Sequence, residues 1–212
     1  SGTRKSRGFV RPYLLQCIRR GESVVCTDPK GEHYRDLAQS FRQNGYTVKV
    51  LNLVDPTHSD AWNCMERLDG DTLRAQILTD IIIANTGNGH GDPFWDNGEQ
   101  NLLRALILYV DQAPGYTQKT LPAAYKLLTH TPLPQLTALF ERLPITHPAK
   151  APYNLFAQAS DSVKSGIVIG LGTRLQTLQN KEVERLISTS DINLTSPATE
   201  KCAYFIILSD QG

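Results

Sequence analysis

The sequence predicts an α/β protein in which an all-helical segment interrupts a parallel sheet. Near both ends of the chain, short apolar or β-branched runs lie beside helical patterns, which is typical of parallel strands joined by helices. Between about residues 71 and 150, apolar residues recur at helical spacing and no run is typical of a strand. We therefore expect a first part of an α/β domain over residues 1–70, an all-α insert over 71–157, and a return to the α/β domain over 158–212.

The α/β part begins with alternating helices and strands. The patterns predict a helix over residues 5–20, a strand over 23–27, a helix over 32–44 and a strand over 46–54. Pro12 should kink the first helix near residues 8–12 or end it early, because proline removes a backbone hydrogen bond. A strand, a helix and a strand joined by short turns predict a right-handed parallel crossover. Ligands of such sheets bind at the carboxyl ends of the strands, where Asp28 follows the first one.

The central and final segments are predicted as follows. One helical pattern runs from residue 71, where Leu73, Ile77, Leu78 and Ile81 form a stripe. Further helical patterns begin at Asp92–Pro93 and cover residues 121–128 and 134–143. Residues 158–178 should form a long helix that is irregular at Gly166, Gly170 and Gly172, and 181–188 a shorter one. The apolar run at 201–208 is the clearest buried strand in the chain.

Composition excludes several function classes. The 212 residues have a net charge of +1, so no bulk charge indicates a nucleic-acid or membrane partner, although six basic residues and no acid fall within residues 1–21. The four cysteines have no C-x-x-C spacing and the five histidines no ligand spacing, which argues against a metal or redox site and for a reducing compartment. No apolar run is long enough to cross a bilayer.

Residues 1–6 match the second half of the phosphate-binding motif G-x-x-x-x-G-K-S/T. In that motif the lysine reaches the terminal phosphates and the next hydroxyl holds Mg²⁺, which are the positions of Lys5 and Ser6. Gly2 and Thr3 can lend backbone amides, and a helix that starts here favours an anion. Arg4 stands where the motif has glycine. The alternative interpretation is a solvated basic segment.

Three other features have both a functional and a structural interpretation. The strand that ends near Asp210 is similar to a Walker B strand, but a core strand that enters a polar turn is the more common source of this pattern. The glycine-rich residues 87–92 do not follow a strand, so we interpret them as a hinge and not as a nucleotide loop. Trp62 and Trp95 can stack on the bases of single-stranded nucleic acid, or they can pack between the α/β domain and the all-α insert.

Several segments together carry a resemblance to a known family. In chain order they are residues 5–12, 27–32 (Thr-Asp-Pro-Lys-Gly-Glu), 45–50, 59–64, 92–95, 108–110, 165–175 and 202–210. With these segments the chain resembles the coupling proteins of conjugative type IV secretion, which are DNA-pumping ATPases. The resemblance runs through nearly the whole chain.

The resemblance implies a RecA-like nucleotide-binding domain, here partial, that is interrupted by an all-α domain. It implies ATP and Mg²⁺ as cofactors, with Lys5 on the β- and γ-phosphates, Ser6 on the Mg²⁺, and Asp28 ordering the site. It also implies a homo-hexamer at the cytoplasmic face of the membrane, anchored by a segment outside this chain, that links a relaxase and single-stranded DNA to the secretion channel. Trp95 and His90 are candidate docking residues in the all-α domain.

The family pattern also limits the expected activity. In the family, the catalytic acid lies on a later strand, beyond residue 212, so Asp210 is not assigned that role. We therefore expect this chain to be a piece of the ATPase region that hydrolyses ATP poorly. Two alternatives stay open: a nucleotide-independent module that binds relaxase or single-stranded DNA through its helices, and a phosphate loop with Arg4 that is retained only for structure.

Overall fold

A computed structural model describes residues 6–86 and 93–208. Within them, the fold is mixed α/β, with three strands and nine α-helices. The strands are β1 (Val24–Thr27), β2 (Thr47–Asn52) and β3 (Cys202–Ile207). The helices are α1 (Arg11–Arg20), α2 (Glu32–Gln43), α3 (Thr72–Thr86), α4 (Pro93–Gln112), α5 (Leu121–His130), α6 (Leu133–Glu141), α7 (Lys150–Ala157), α8 (Asp161–Arg174) and α9 (Lys181–Ser188).

The chain divides into two compact units. The first, which we call the α/β unit, comprises Ser1–Trp62 and Thr189–Gly212, and the second, the helical unit, comprises Asn63–Ser188. The predicted boundary at residues 157/158 falls between α7 and α8, which both belong to the helical unit. Ile167 and Leu171 of α8 are buried in the same core as the apolar face of α4.

The sheet of the α/β unit has the order β1-β3-β2, and both strand pairs are parallel. Ala203 of β3 lies opposite Val24 of β1 on one side and Val48 of β2 on the other. The prediction of a parallel sheet is therefore confirmed. The connection from β1 through α2 to β2 skips one strand position in the sheet. The last strand of the described chain, β3, fills this central position.

One aromatic cluster holds the helices of the α/β unit to the sheet. Phe205 of β3 is fully buried, and its ring contacts Phe41 and Tyr34 of α2 at centroid distances of 5.9 and 5.6 Å. Leu14 and Cys17 of α1 are buried in the same core. The face of α2 that carries Tyr34 and Phe41 thus packs on the sheet.

The first helix begins irregularly. A π-helical turn over Ser6–Val10 precedes α1, and Pro12 lies in the first turn of α1. The helix continues past Pro12 to Arg20, and the change from π- to α-helical geometry falls between Val10 and Arg11.

The helical unit is built around α4. Leu102, Leu103 and Leu106 on this helix are fully buried, and α4 packs against α3, α5, α7 and α8. None of the described helices is both long and apolar enough to cross a membrane.

The prediction that α8 is irregular at its glycines is wrong. The helix is continuous over Asp161–Arg174, and its glycines allow α4 to approach closely. A Cβ atom on Gly166 would lie 2.8 Å from the Trp95 ring, and a Cβ on Gly98 of α4 would lie 2.5 Å from Cδ1 of Ile167. Gly172, by contrast, faces open space.

Two alanine substitutions at glycines should therefore have opposite effects. Gly98→Ala should lower the free energy of unfolding by about 1–3 kcal/mol, because the added methyl group overpacks buried Ile167. Gly172→Ala, the matched control in the facing helix, should raise it by about 0.5–1 kcal/mol, because alanine loses less backbone entropy on folding. Urea unfolding measures both values, and equal changes would contradict the close packing of α4 on α8.

Two features of the helical unit differ from the sequence interpretation. Of the predicted stripe on α3, Leu73, Ile77 and Ile81 are exposed, whereas Ala75 and Ile83 are buried. Apolar residues occur around most of this helix, so periodicity could not identify the buried face. The sequence interpretation also did not include α7, a short helix that contains a proline.

Candidate functional site

The carboxyl ends of the three parallel strands form one edge of the sheet, which we call the carboxyl edge. The N–H of Asp28, directly after β1, donates to the carbonyl of Ile206 at 2.8 Å. The N–H of Leu53, directly after β2, donates to the carbonyl of Ile207 at 2.9 Å. The loops that follow β1 and β2 therefore start on either side of β3, where ligands of parallel α/β sheets bind.

Contacts at both ends of α1 define its direction. The hydroxyl of Tyr46, just before β2, lies 3.0 Å from the carbonyl oxygen of Cys17 and 3.1 Å from that of Glu22, so the end of α1 lies at the amino edge of the sheet. At the start of α1, Arg11 donates to the carboxylate of Asp36 at 2.8 Å, in the first half of α2. Because α2 begins at the carboxyl edge, α1 runs from the carboxyl edge to the amino edge.

Ser6 begins the helical segment that leads into α1, so its backbone belongs to the carboxyl-edge end of that segment. The first N–H groups of a helix have no partner within the helix and favour an anion. The four preceding residues of the predicted nucleotide site lie outside the described residues: Gly2, Thr3, Arg4 and Lys5.

Asp28 is a buried carboxylate at the carboxyl edge, with only 2 % of its surface exposed. Its Oδ2 accepts the backbone N–H of Tyr34 at 2.9 Å, which caps the first turn of α2, and its carbonyl accepts the N–H of Gly31 at 2.9 Å. Gly31 has a φ of 64° and would place a Cβ 3.1 Å from Ile207, so the tight turn after Asp28 favours glycine. Asp28 therefore fixes the geometry of the loop between β1 and α2.

The phosphate-binding motif predicts that Mg²⁺ arrives at the carboxyl edge together with a nucleotide. Among residues 6–86 and 93–208, no group of three or more His, Cys, Asp or Glu side chains could hold a metal ion. Mg²⁺ is commonly bound by substrate phosphates, water and only one or two protein groups, such as the hydroxyl of a phosphate loop. The described part of this edge contains the backbone of Ser6, at the start of the helical segment, and the buried carboxylate of Asp28.

The remaining predicted residues have different positions. Trp95 lies in the first turn of α4, is 40 % exposed, and contacts the ring of Phe94 at a centroid distance of 5.5 Å. Trp62 is half-buried and packs on the α/β unit near Ile192. His90 and Asp210 lie outside the described residues.

A buried ion-pair cluster in the helical unit was not predicted from the sequence. Arg174 of α8 donates to the carboxylates of Asp96 and Glu99 on α4, and to the carbonyl oxygen of Ile83 near the end of α3 at 3.1 Å. Burial raises the pKa of Glu99, and the neighbouring Arg174 guanidinium offsets only part of this effect. The cluster ties three helices together beside Gly170.

Comparison with known proteins identifies the family of the chain. The family described as "Type IV secretory system Conjugative DNA transfer" matches residues 1–212, which include both compact units. A comparison with individually curated proteins found no match. The chain therefore belongs to the type IV secretory system family of conjugative DNA transfer proteins.

Proposed function

We propose that this chain is part of the ATPase region of a conjugative coupling protein, with a RecA-like domain that binds ATP at the carboxyl edge. The observation that carries the proposal is the position of two features at that edge. The helical segment that leads into α1 starts there at Ser6, and Asp28 is buried there after β1. The conjugative DNA transfer family supplies the biological context.

The residues of the site have separate roles in this proposal. Lys5 binds the β- and γ-phosphates, the Ser6 hydroxyl binds Mg²⁺, and the amides of Gly2 and Thr3 bind phosphate oxygens. Asp28 acts indirectly, because its bond to Tyr34 holds the loop that follows β1 in place. ATP, when bound, supplies the phosphoryl-transfer chemistry.

The proposal extends to the partners of the whole protein. A relaxase and a single DNA strand are the cargo, and a homo-hexamer, anchored at the cytoplasmic face of the membrane, passes them to the secretion channel. Membership of a conjugative DNA transfer family supports these assignments.

Calorimetric titration of MgATP into the chain tests the nucleotide site. We expect saturable binding that weakens roughly 10- to 100-fold in Lys5→Ala, because the variant loses a charged contact to phosphate. Lys181→Ala, which removes an exposed lysine from α9, is the matched control and should bind as the parent chain does. If the parent chain binds no nucleotide, or if Lys5→Ala binds equally well, the nucleotide site is wrong.

A second candidate function is docking of protein or DNA through the helical unit without nucleotide. The observation that favours it is the exposed face of α3, where Leu73, Ile77 and Ile81 are each at least half exposed at four-residue spacing. Binding of the cognate relaxase by the full chain, unchanged by Lys5→Ala and weakened by Ile77→Asp, would support this function.

A further inference from the structure

A cleft of about 450 Å³ opens on the surface of the helical unit. Side chains of α3, α4 and residues 148–155 line it, and most of them are apolar. Leu73 and Leu155 are 64 % and 58 % exposed on the wall of the cleft. The rest of the apolar lining consists of Leu108, Pro148, Ala151 and Pro152. A mainly apolar cleft of this size is typical of sites that hold a small ligand or a few side chains of a peptide.

Arg104 of α4 is the charged residue in this lining. Its side chain is 21 % exposed, and its buried Nε has no hydrogen-bond partner. The closest carboxylate is that of Asp80, 4.0 Å from Nη2, which is too far for a hydrogen bond. Asp80 instead accepts a hydrogen bond from Gln100 at 2.8 Å. The guanidinium of Arg104 therefore retains unused donors at the cleft.

The side chain of His147, next in sequence to a residue that lines the cleft, also has a buried nitrogen without a partner. In the part of the chain that the structure describes, only Arg104 Nε and His147 Nε2 are buried side-chain nitrogen or oxygen atoms without a partner. His147 directly precedes Pro148, which lines the cleft, and its Nδ1 accepts the N–H of Ala149 at 3.2 Å. Burial lowers the pKa of His147, so the neutral ring presents Nε2 as a donor. Buried donors without partners are rare in folded proteins.

We propose that this cleft binds a peptide segment of a partner protein that presents a carboxylate beside apolar side chains. The carboxylate pairs with Arg104, whose planar guanidinium suits two parallel hydrogen bonds to carboxylate oxygens. The apolar side chains of the segment cover Leu73 and Leu155. Nucleic acid fits less well, because its binding requires several cations along the phosphate backbone and the cleft offers one. The inference rests on the docking function proposed above and is independent of nucleotide binding.

Fluorescence anisotropy with two synthetic peptides tests the inference on the full chain. One probe alternates leucine and glutamate, and the other has glutamine in place of every glutamate, with both ends blocked in each. We expect the chain to bind the glutamate peptide at least about tenfold more tightly than the glutamine peptide. Arg104→Gln should abolish this preference. Arg142→Gln, which changes an exposed arginine after α6, should leave it intact.

A second variant separates loss of the site from loss of the fold. Ala151 is exposed, so Ala151→Trp should fill the cleft without disturbing the core, and its circular dichroism and thermal unfolding should match those of the parent chain. Peptide binding should be lost in this folded variant. Equal binding of the two peptides, absence of binding, or binding unchanged by both Arg104→Gln and Ala151→Trp would overturn the inference. Preferential binding of a single-stranded oligonucleotide that Arg104→Gln abolishes would also overturn it.

The same variants distinguish the failure of this inference from failure of the docking function. If relaxase binds the parent chain and both cleft variants equally, docking stands and the cleft is not its site. If relaxase does not bind the parent chain in any nucleotide state, the docking function itself is wrong.

Discussion

Arg174→Met should lower the free energy of unfolding of the helical unit by about 3–5 kcal/mol, because it leaves a buried carboxylate without its partner. Glu99 is only 5 % exposed, and Arg174 is the cation that pairs with it and with Asp96. The substitution also removes the donor that binds the carbonyl of Ile83. Methionine retains much of the apolar stem of arginine, so the loss reports mainly the ionic contacts.

Urea unfolding followed by Trp95 fluorescence, in a Trp62→Phe background, measures this effect in the helical unit alone. The chain has two tryptophans, one in each unit, so each single-tryptophan background reports one unit. Lys164→Met is the matched control on the same helix, because Lys164 pairs with the highly exposed Asp161. The control should have a far smaller effect, since exposed ion pairs contribute little. Equal losses in the two variants would show that the buried cluster is not important for stability.

The loss in Arg174→Met should also depend on pH. Burial raises the pKa of Glu99 in the folded protein, and removal of the nearby cation should raise it further. A raised carboxyl pKa favours folding where the group is protonated, and this contribution is lost as pH rises through the folded pKa. The difference in stability between the parent chain and Arg174→Met should therefore shrink in acid and grow toward neutral pH.

Phe205→Ala should lower the free energy of unfolding of the α/β unit by about 3–5 kcal/mol. Phe205 is fully buried on the central strand, and its ring contacts both Phe41 and Tyr34 of α2. Alanine removes these ring contacts and leaves a cavity that the sheet, held by parallel strands on both sides of β3, can fill only in part.

Trp62 fluorescence in a Trp95→Phe background measures the effect of Phe205→Ala. Val25→Ala, on edge strand β1, is the matched control, because Val25 is 56 % exposed. Its substitution should change stability by about 0.5 kcal/mol or less, as is usual for surface positions. A loss below about 1 kcal/mol for Phe205→Ala would contradict the position of this ring at the centre of the core.

The strands and most helices were predictable because their signals are local. The apolar run that became β3 lies between Lys201 and Leu208, and Gly45, with a φ of 80°, separates the end of α2 from the start of β2. The pairing of β3 between β1 and β2 depends on contacts about 150 to 180 residues apart, which periodicity cannot indicate. The glycines of α8 likewise gave a misleading local signal, because the helix they pack against is distant in sequence.

The candidate sites were predictable to different degrees. Asp28 was expected at the carboxyl edge because it directly follows a predicted strand. Glu99 and Arg174 were not paired in advance, because 75 residues separate them. Arg104 did carry a signal, since it is the single charge within the apolar run from Leu102 to Val110. A charge in the buried stripe of a helix indicates a buried partner or a ligand.

The central claim is that nucleotide binds at the carboxyl edge, and hydrogen–deuterium exchange of the full chain tests it most directly. Exchange would be compared with and without Mg²⁺ and a slowly hydrolysed ATP analogue at saturating concentration. We expect slower exchange in peptides covering residues 1–10 and 26–34, and unchanged exchange over residues 93–175. Slower exchange confined to the helical unit, or no change anywhere in the chain, would contradict the claim.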